Sequence, residues 1–241
     1  MMLANIRTVL LHTSHPGNIG ASARALKTMG LGDLWLVSPK RFPHAEATAR
    51  ASGADDVLQR ATLCDALDAA LEDCRLVIGA SARARSIPCP VLDPRECARQ
   101  ACAESATGRV AILYGREQSG LNNAELDRCH YLVRIPVSST YGSLNLAAAV
   151  QVIAYELLVA HRAADAQQPA QATGQVPVSA GEMERFYEHL ERTLVELDFL
   201  DPENPRQLMR RLRRLYNRAR PDNNEINILR GILTAAQQAR K

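Results

Sequence analysis

Aromatic residues make up only 4% of the 241 positions, with one Trp and three Phe, which argues against recognition of nucleic acid by rows of bases stacked on side chains. Lysine is scarcer still. Of 29 basic residues only Lys27, Lys40 and Lys241 are not Arg, a bias that genomic base composition can produce and that carries little functional weight. The six Cys, at 64, 74, 89, 97, 102 and 129, include no C-x-x-C pair, and the six His do not complete a set with them. A tetrahedral metal site is therefore not expected. No run approaches 18 apolar residues, and residues 1–9 lack the apolar core and cleavage pattern of a signal peptide, so no membrane span is expected. A cytoplasmic chain with reduced thiols is the consistent reading. The common nucleotide signatures are missing too. Neither G-x-G-x-x-G after the first strand nor G-x-x-x-x-G-K-[ST] occurs, which counts against a nicotinamide-dependent oxidoreductase and a P-loop NTPase.

What is present is the composition of a folded protein: 46% hydrophobic, 23% charged, net charge +3, too apolar and too balanced for a disordered tail. Up to about residue 162, short apolar runs alternate with helix-period segments. Residues 8–11 (TVLL), 34–37 (LWLV), 76–78 (LVI), 110–114 (VAILY) and 131–135 (YLVRI) read as buried strands. Residues 21–29, 62–72, 94–105 and 146–161 read as helices, the third with Asp93 as N-cap and Pro94 at its first position. Strand alternating with helix predicts a parallel α/β sheet covered on both faces. Residues 163–181 (AADAQQPAQATGQVPVSAG) lack periodic apolar residues and read as a flexible linker. Beyond them 183–198, 205–218 and 225–240 read as three helices, giving domains at 1–162 and 182–241.

Ligands of open α/β sheets bind beyond the carboxyl ends of the strands, and three glycine-bearing loops lie there: 15–24 (HPGNIGASAR), 113–122 (LYGREQSGLN) and 135–145 (IPVSSTYGSLN). Taken singly, each reads as a structural turn about twice as readily as a binding loop. Their joint order says more. The pattern N-x-x-x-x-x-R from Asn18 to Arg24, the segment Tyr114-Gly115-Arg116-Glu117 with Gly120 and Leu121, and Ile135-Pro136 followed by Ser143-Leu144-Asn145 resemble the three signature motifs of the SPOUT superfamily of RNA methyltransferases, in its ribose 2′-O-methyltransferase branch. Residues 13–15 (TSH), 27–31 (KTMGL), 92–97 (LDPREC), 146–155 and 227–233 (NILRGIL) extend the resemblance over nearly the whole chain, toward the bacterial tRNA-modifying members.

The resemblance implies a Rossmann-like parallel sheet whose C-terminal part is threaded into a deep trefoil knot, against the general rule, followed by a small all-α C-terminal domain. It implies S-adenosylmethionine as methyl donor, leaving as S-adenosylhomocysteine, held by Ala80, Ser81, Ala82, Gly115, Ile135, Gly142, Ser143, Leu144 and Asn145. Main-chain recognition suits a cofactor without phosphate. Arg24 takes the central catalytic role, as proton acceptor or as the group fixing the adjoining phosphate. The second is favoured because a guanidinium is nearly always charged and a weak base. Asn18, Glu117 and Asn145 are expected to orient Arg24 and the loops, and Ser143 to contact ribose or cofactor. For Glu117 a plain ion pair with Arg116 competes. The implied substrate is tRNA, methylated at the pyrimidine (C/U) at position 32 of the anticodon loop by a homodimer joined through the Ala-rich helix after Asn145.

Residues 204–220 (NPRQLMRRLRRLYNRAR) carry seven Arg and no acid. On a helix they present a basic stripe, so Arg210, Arg211, Arg213 and Arg214 are candidate phosphate contacts beside Arg24, Arg83 and Arg85. A solvated amphipathic helix docked on the first domain is an equal alternative. Trp35 is expected in the core, and His12, His15, Cys129 and His130 are taken as structural. A ribosomal RNA ribose methyltransferase, or a knotted RNA-binding protein without catalysis, remain the rival readings.

Overall fold

The structure, a computed structural model, describes residues 2–81, 89–140, 142–166 and 176–239. Its sheet contains β1 (Ile6–Leu11), β2 (Asp33–Val37), β3 (Thr62–Cys64), β4 (Cys74–Ala80), β5 (Val91–Leu92), β6 (Arg109–Tyr114) and β7 (Tyr131–Val133). They run in the order β3-β2-β1-β6-β4-β7-β5, and every pairing is parallel. Period-2 alternation sorts the side chains of β6 onto two faces. Val110, Ile112 and Tyr114 enter one apolar core; Ala111 and Leu113 enter the other. Both faces are dry, as in a parallel sheet whose crossovers cover it.

The first core is roofed by α1 (Pro16–Thr28), α5 (Pro94–Ser105) and α7 (Leu146–Ala166). On α7 the expected Val150, Ile153, Ala154 and Leu157 are all buried, while Tyr155 and Val159 face outward. By length and composition this helix, over Leu146–Ala164, is also apolar enough to cross a membrane. Helix α5 begins as anticipated, with Asp93 and Glu96 forming a reciprocal capping box and Pro94 in the first turn. Two further helices, α2 (Ala45–Ala51) and α3 (Asp55–Gln59), pack outside α1. The contact of α1 with α2 is backbone-close: a Cβ on Gly20 would lie 2.0 Å from the Ala47 carbonyl oxygen.

The helix expected over 62–72 is a correction. Thr62–Cys64 is the edge strand β3, paired with Trp35–Val37, and only Leu67–Leu71 is helical, as α4. A three-residue strand with Thr62 and Leu63 exposed leaves no apolar alternation to read. Trp35 is half-buried against the second core, its Nε1 donating to Asp33 and its ring stacked by Arg7 with the guanidinium carbon 4.0 Å from the centroid.

The short helix α6 (Asn123–Leu126) precedes β7. The C-terminal helices are α8 (Ala180–Glu196), α9 (Leu208–Ala219) and α10 (Asn223–Ala239). Their own small core is built on Phe186, Tyr187, Leu190 and Ile226, with the Phe186 and Tyr216 rings 4.9 Å apart and edge to face. This unit is fastened to the sheet domain by polar contacts. Arg210 makes a bidentate pair with Asp127 (2.6 and 3.0 Å), Arg220 with Glu104 (2.5 and 3.0 Å), and Arg214 donates to the carbonyl oxygens of Cys129 and His130. Arg213 pairs with Glu184, which also meets Arg128.

Candidate active site

Because all strands run in parallel, the loops after β1, β6 and β7 meet at one end of the sheet. Pro16, in the first turn of α1, costs no helical hydrogen bond there, and brings Asn18 to the helix entrance. The loop after β6 is closed by backbone hydrogen bonds from Gly120 to Arg116 (2.8 Å) and from Arg116 to Gly120 (3.2 Å). A Cβ on Gly115 would lie 2.1 Å from the Gly120 carbonyl carbon and 2.3 Å from the Leu121 nitrogen, so only glycine lets the loop fold back so tightly.

That loop aims Glu117 at the loop after β1. Its carboxylate accepts from the Ser14 amide (3.2 Å), the Ser14 hydroxyl (3.0 Å), the His15 amide (3.2 Å) and Asn18 Nδ2 (3.1 Å). Asn18 Oδ1 in turn accepts from Asn145 Nδ2 (2.9 Å), and Asn145 Oδ1 accepts from the Ala147 amide (2.9 Å) at the start of α7. Asn18 thus joins two segments 99 and 127 residues further along the sequence, in one chain from Glu117 to Asn18 to Asn145. The simple Arg116–Glu117 ion pair is not formed. Arg116 turns the other way and meets both oxygens of Glu125 at 3.0 Å.

Burial alone would raise the Glu117 pKa, but the hydrogen bonds it accepts, from its own amide, Asn18, His15 and Ser14, outweigh it and hold the carboxyl at about 2. A carboxyl held below its ordinary 4.5 adds stability that is complete above about pH 4.5 and is lost as the pH falls through about 2. Urea unfolding of the wild type and Glu117→Gln should accordingly differ by a constant amount above pH 5 and converge toward pH 2. A gap that does not change with pH would remove this assignment.

Beside this junction lies a cavity of about 310 Å³. Ala80, Ser81, Gly115, Ile135, Gly142, Ser143 and Leu144 line it, so seven of the nine expected cofactor positions converge. Asn145 does not line it but, with Asn18, lines a second cavity of about 410 Å³. Ala82, Arg83 and Arg85 lie outside the described residues. Arg24 stands apart from the chain of hydrogen bonds: exposed on α1, its guanidinium meets neither Asn18, Glu117 nor Asn145, and it has no side-chain partner among the described residues. Of the α9 arginines, Arg210, Arg213 and Arg214 are engaged within the chain, whereas Arg211 is exposed.

Gln118 and Ser119, which also line the first cavity, and Glu46 and Arg50, which line the second, were not singled out from sequence. The former sit inside a glycine loop already of interest; the latter belong to a seven-residue helix without an apolar stripe. Burial holds His130 neutral, its pKa pulled down to about 3, while its Nδ1 accepts from the Val77 amide, a structural role. Among the described residues no group of three or more His, Cys, Asp or Glu is placed to hold a metal ion.

The comparisons with known proteins bear on this arrangement. The family model of the SpoU rRNA Methylase family matches residues 5–155, and that of the tRNA methyltransferase TrmJ C-terminal domain matches residues 181–241. The tRNA (cytidine/uridine/adenosine-2′-O-)-methyltransferase TrmJ of Pseudomonas aeruginosa is 54% identical, the match covering 98% of this chain and 95% of that one. The tRNA (cytidine/uridine-2′-O-)-methyltransferase TrmJ of Klebsiella pneumoniae is 52% identical, covering 100% and 99%. The crystal structure of TrmJ from Z. mobilis superposes with a TM-score of 0.83 at 32% identity, covering 95% of this chain and 97% of that one. With both family models matched in order, and whole-length relatives above 50% identity, this chain belongs to the TrmJ family of SpoU-type methyltransferases.

Proposed function

We infer that the chain transfers a methyl group from S-adenosylmethionine to a ribose 2′-hydroxyl of tRNA, at cytidine or uridine, and that the acceptor is the pyrimidine at position 32 of the anticodon loop. The observation that carries this reading is the junction Glu117–Asn18–Asn145, which stands between two cavities and leaves room for a donor on one side and an acceptor on the other.

The first cavity fits the donor on its own chemistry. Among the described residues its one arginine, Arg116, is neutralised by Glu125, and the sequence has no glycine-rich phosphate loop. Gly115 lets main chain come close to a nucleoside, and Ser81, Gly142, Ser143 and Leu144 offer backbone and hydroxyl groups. When bound, the cofactor supplies an electrophilic methyl group on a sulfonium. The protein's part is positioning: Asn18 and Asn145 hold the loops in register, Glu117 locks the first loop as a permanent anion, and Ser143 faces the cavity. Arg24, exposed and without a side-chain partner among the described residues, is suited to fix the phosphate next to the reacting ribose, which places the hydroxyl in line. It is ill suited to take the proton itself.

The reading extends to the assembly. The outward face of α7, with Tyr155 and Val159 among small residues, is assigned to a homodimer contact. The insertion of β7 between β4 and β5 supports the knot that the family resemblance implies. Arg211, together with Arg206 and Arg218, remains available to tRNA phosphates, while Arg210, Arg213 and Arg214 hold the C-terminal helices in place. A cytoplasmic location follows from the substrate.

Incubation with S-adenosylmethionine carrying a labelled methyl group and unmodified tRNA, followed by mapping of the labelled nucleotide, tests the reading. Label is expected on the ribose of the pyrimidine at position 32. Label at another tRNA position would displace the site, and label only in ribosomal RNA would displace the substrate.

A further inference from the structure

The second cavity, between α1 and α2, is not needed to hold the donor. Gly17, Asn18 and Ala21 of α1, Glu46 and Arg50 of α2, and Asn145 line it. Asn18 and Asn145 line it, while Glu117, hydrogen-bonded to Asn18, and Leu144, next to Asn145, line the donor cavity, so the two cavities adjoin one junction. Its walls are shaped by small residues. A Cβ on Gly17 would fall 2.8 Å from Glu46 Oε1 and 3.5 Å from Arg50 Cγ, so both α2 side chains lie across the bare backbone of that glycine.

Charge gives the cavity its character. Gly17, Ala21 and Arg24 are spaced by four and three residues and share one face of α1; Glu46 and Arg50, four apart, share one face of α2. Arg50 therefore lines the cleft from α2, and Arg24 lies one turn beyond Ala21, which lines it from α1. Neither guanidinium has a side-chain partner among the described residues, whereas those of Arg7, Arg109, Arg116, Arg128, Arg210, Arg213 and Arg220 are all paired. An exposed guanidinium lining a cavity at the junction, with a second one turn further along the facing helix, suits a sugar-phosphate chain, because the fork of N–H donors matches phosphate oxygens.

We propose that the cleft between α1 and α2 is the subsite for the RNA strand at the acceptor nucleotide, and that Arg50 binds a backbone phosphate there, across the cleft from the helix that carries Arg24. The inference rests on the tRNA methyltransferase reading and adds to it a binding residue on α2. The two arginines divide the work. Arg24, on the helix that carries Asn18, sets the reacting geometry; Arg50, on the outer helix, contributes binding. Glu46, the acid lining the same cleft, opposes a phosphate, so its removal should act in the opposite direction.

The test measures binding of unmodified tRNA by the full-length protein across a salt series, with S-adenosylhomocysteine present, and the methyl-transfer KM and kcat in parallel. Arg50→Gln should weaken tRNA binding about tenfold and reduce the slope of log affinity against log salt by about one. It should raise KM with little change in kcat, and leave the affinity for S-adenosylhomocysteine unchanged. Glu46→Gln should tighten tRNA binding. Arg99→Gln, which removes an exposed charge on α5 outside the cleft, serves as the control for net charge. An Arg50→Gln protein whose tRNA affinity and salt slope match those of Arg99→Gln overturns the proposal. Failure of the wild type to methylate any tRNA overturns the functional reading instead, and the salt slopes still decide whether Arg50 contacts a polyanion.

Discussion

Arg24→Ala is expected to lower kcat for methyl transfer to tRNA by about 100-fold or more, the penalty for losing alignment of two reacting atoms, while leaving S-adenosylmethionine affinity within a factor of about two. The physical basis is the isolation of this side chain. Arg24 is exposed on α1 and, among the described residues, its guanidinium makes no hydrogen bond to the loops that shape the donor cavity, so its removal leaves Glu117, Asn18 and Asn145 joined. The fold should be unaffected, since exposed substitutions away from packed features shift stability by no more than about 0.5 kcal/mol. Arg24→Lys separates charge from shape. A lysine keeps a cation but not the planar fork, and should recover part of kcat only. Full activity in Arg24→Ala would leave the reaction without its phosphate anchor and would shift the catalytic assignment elsewhere. A large loss of cofactor affinity would mean that Arg24 acts on the donor.

The second large effect is expected at Gly115. An Ala there must displace backbone, because its Cβ would sit 2.1 Å from the Gly120 carbonyl carbon and 2.3 Å from the Leu121 nitrogen. The paired hydrogen bonds between Arg116 and Gly120 would open, and Glu117, one residue further on, would lose its alignment with Ser14, His15 and Asn18. Overpacking of this kind costs about 1–3 kcal/mol of stability. The donor cavity should lose affinity for S-adenosylmethionine by about 100-fold, equivalent to about 2.7 kcal/mol. Gly142 makes the contrast. It lines the same cavity, yet a Cβ there would meet only Val137 Cγ2 at 3.9 Å, ordinary contact. Gly142→Ala should therefore fold as the wild type does. Titration calorimetry with the cofactor, together with urea unfolding, reads both variants. Equal behaviour of the two would contradict the claim that the loop after β6 shapes the site.

The glycine loops were legible in the sequence because each places Gly and a hydrogen-bonding side chain at the end of a buried apolar run, and the structure brings Asn18, Glu117 and Asn145 into direct contact. The cap at Asp93 was legible for the same local reason. What escaped notice depends on partners far along the chain. Strands β3 and β5 are three and two residues long and lie at the sheet edges, so their existence follows from pairing with β2 and β7 rather than from any pattern of their own. The basic stripe of α9 reads in sequence as seven cations without an acid, but Asp127, Glu104 and Glu184 reach Arg210, Arg220 and Arg213 from other elements. Tertiary pairing turns much of an apparent phosphate patch into internal fastening: Arg210 and Arg220 tie the C-terminal helices to the sheet unit, and Arg213 ties α9 to α8. Arg50 was missed for the converse reason. It is an unremarkable surface arginine until α2 is packed on α1 closely enough to bring it over Gly17.

The measurement that tests the central claim most directly uses a tRNA carrying a single 2′-deoxyribose at the nucleotide that accepts the methyl group. If a ribose hydroxyl is the acceptor at the Glu117–Asn18–Asn145 junction, this tRNA should bind the protein with nearly the affinity of the all-ribose form, compete with it as an inhibitor, and take up no label from methyl-labelled S-adenosylmethionine. Transfer of label to that same deoxynucleotide at the normal rate would place the methyl group on a base, and would contradict the account.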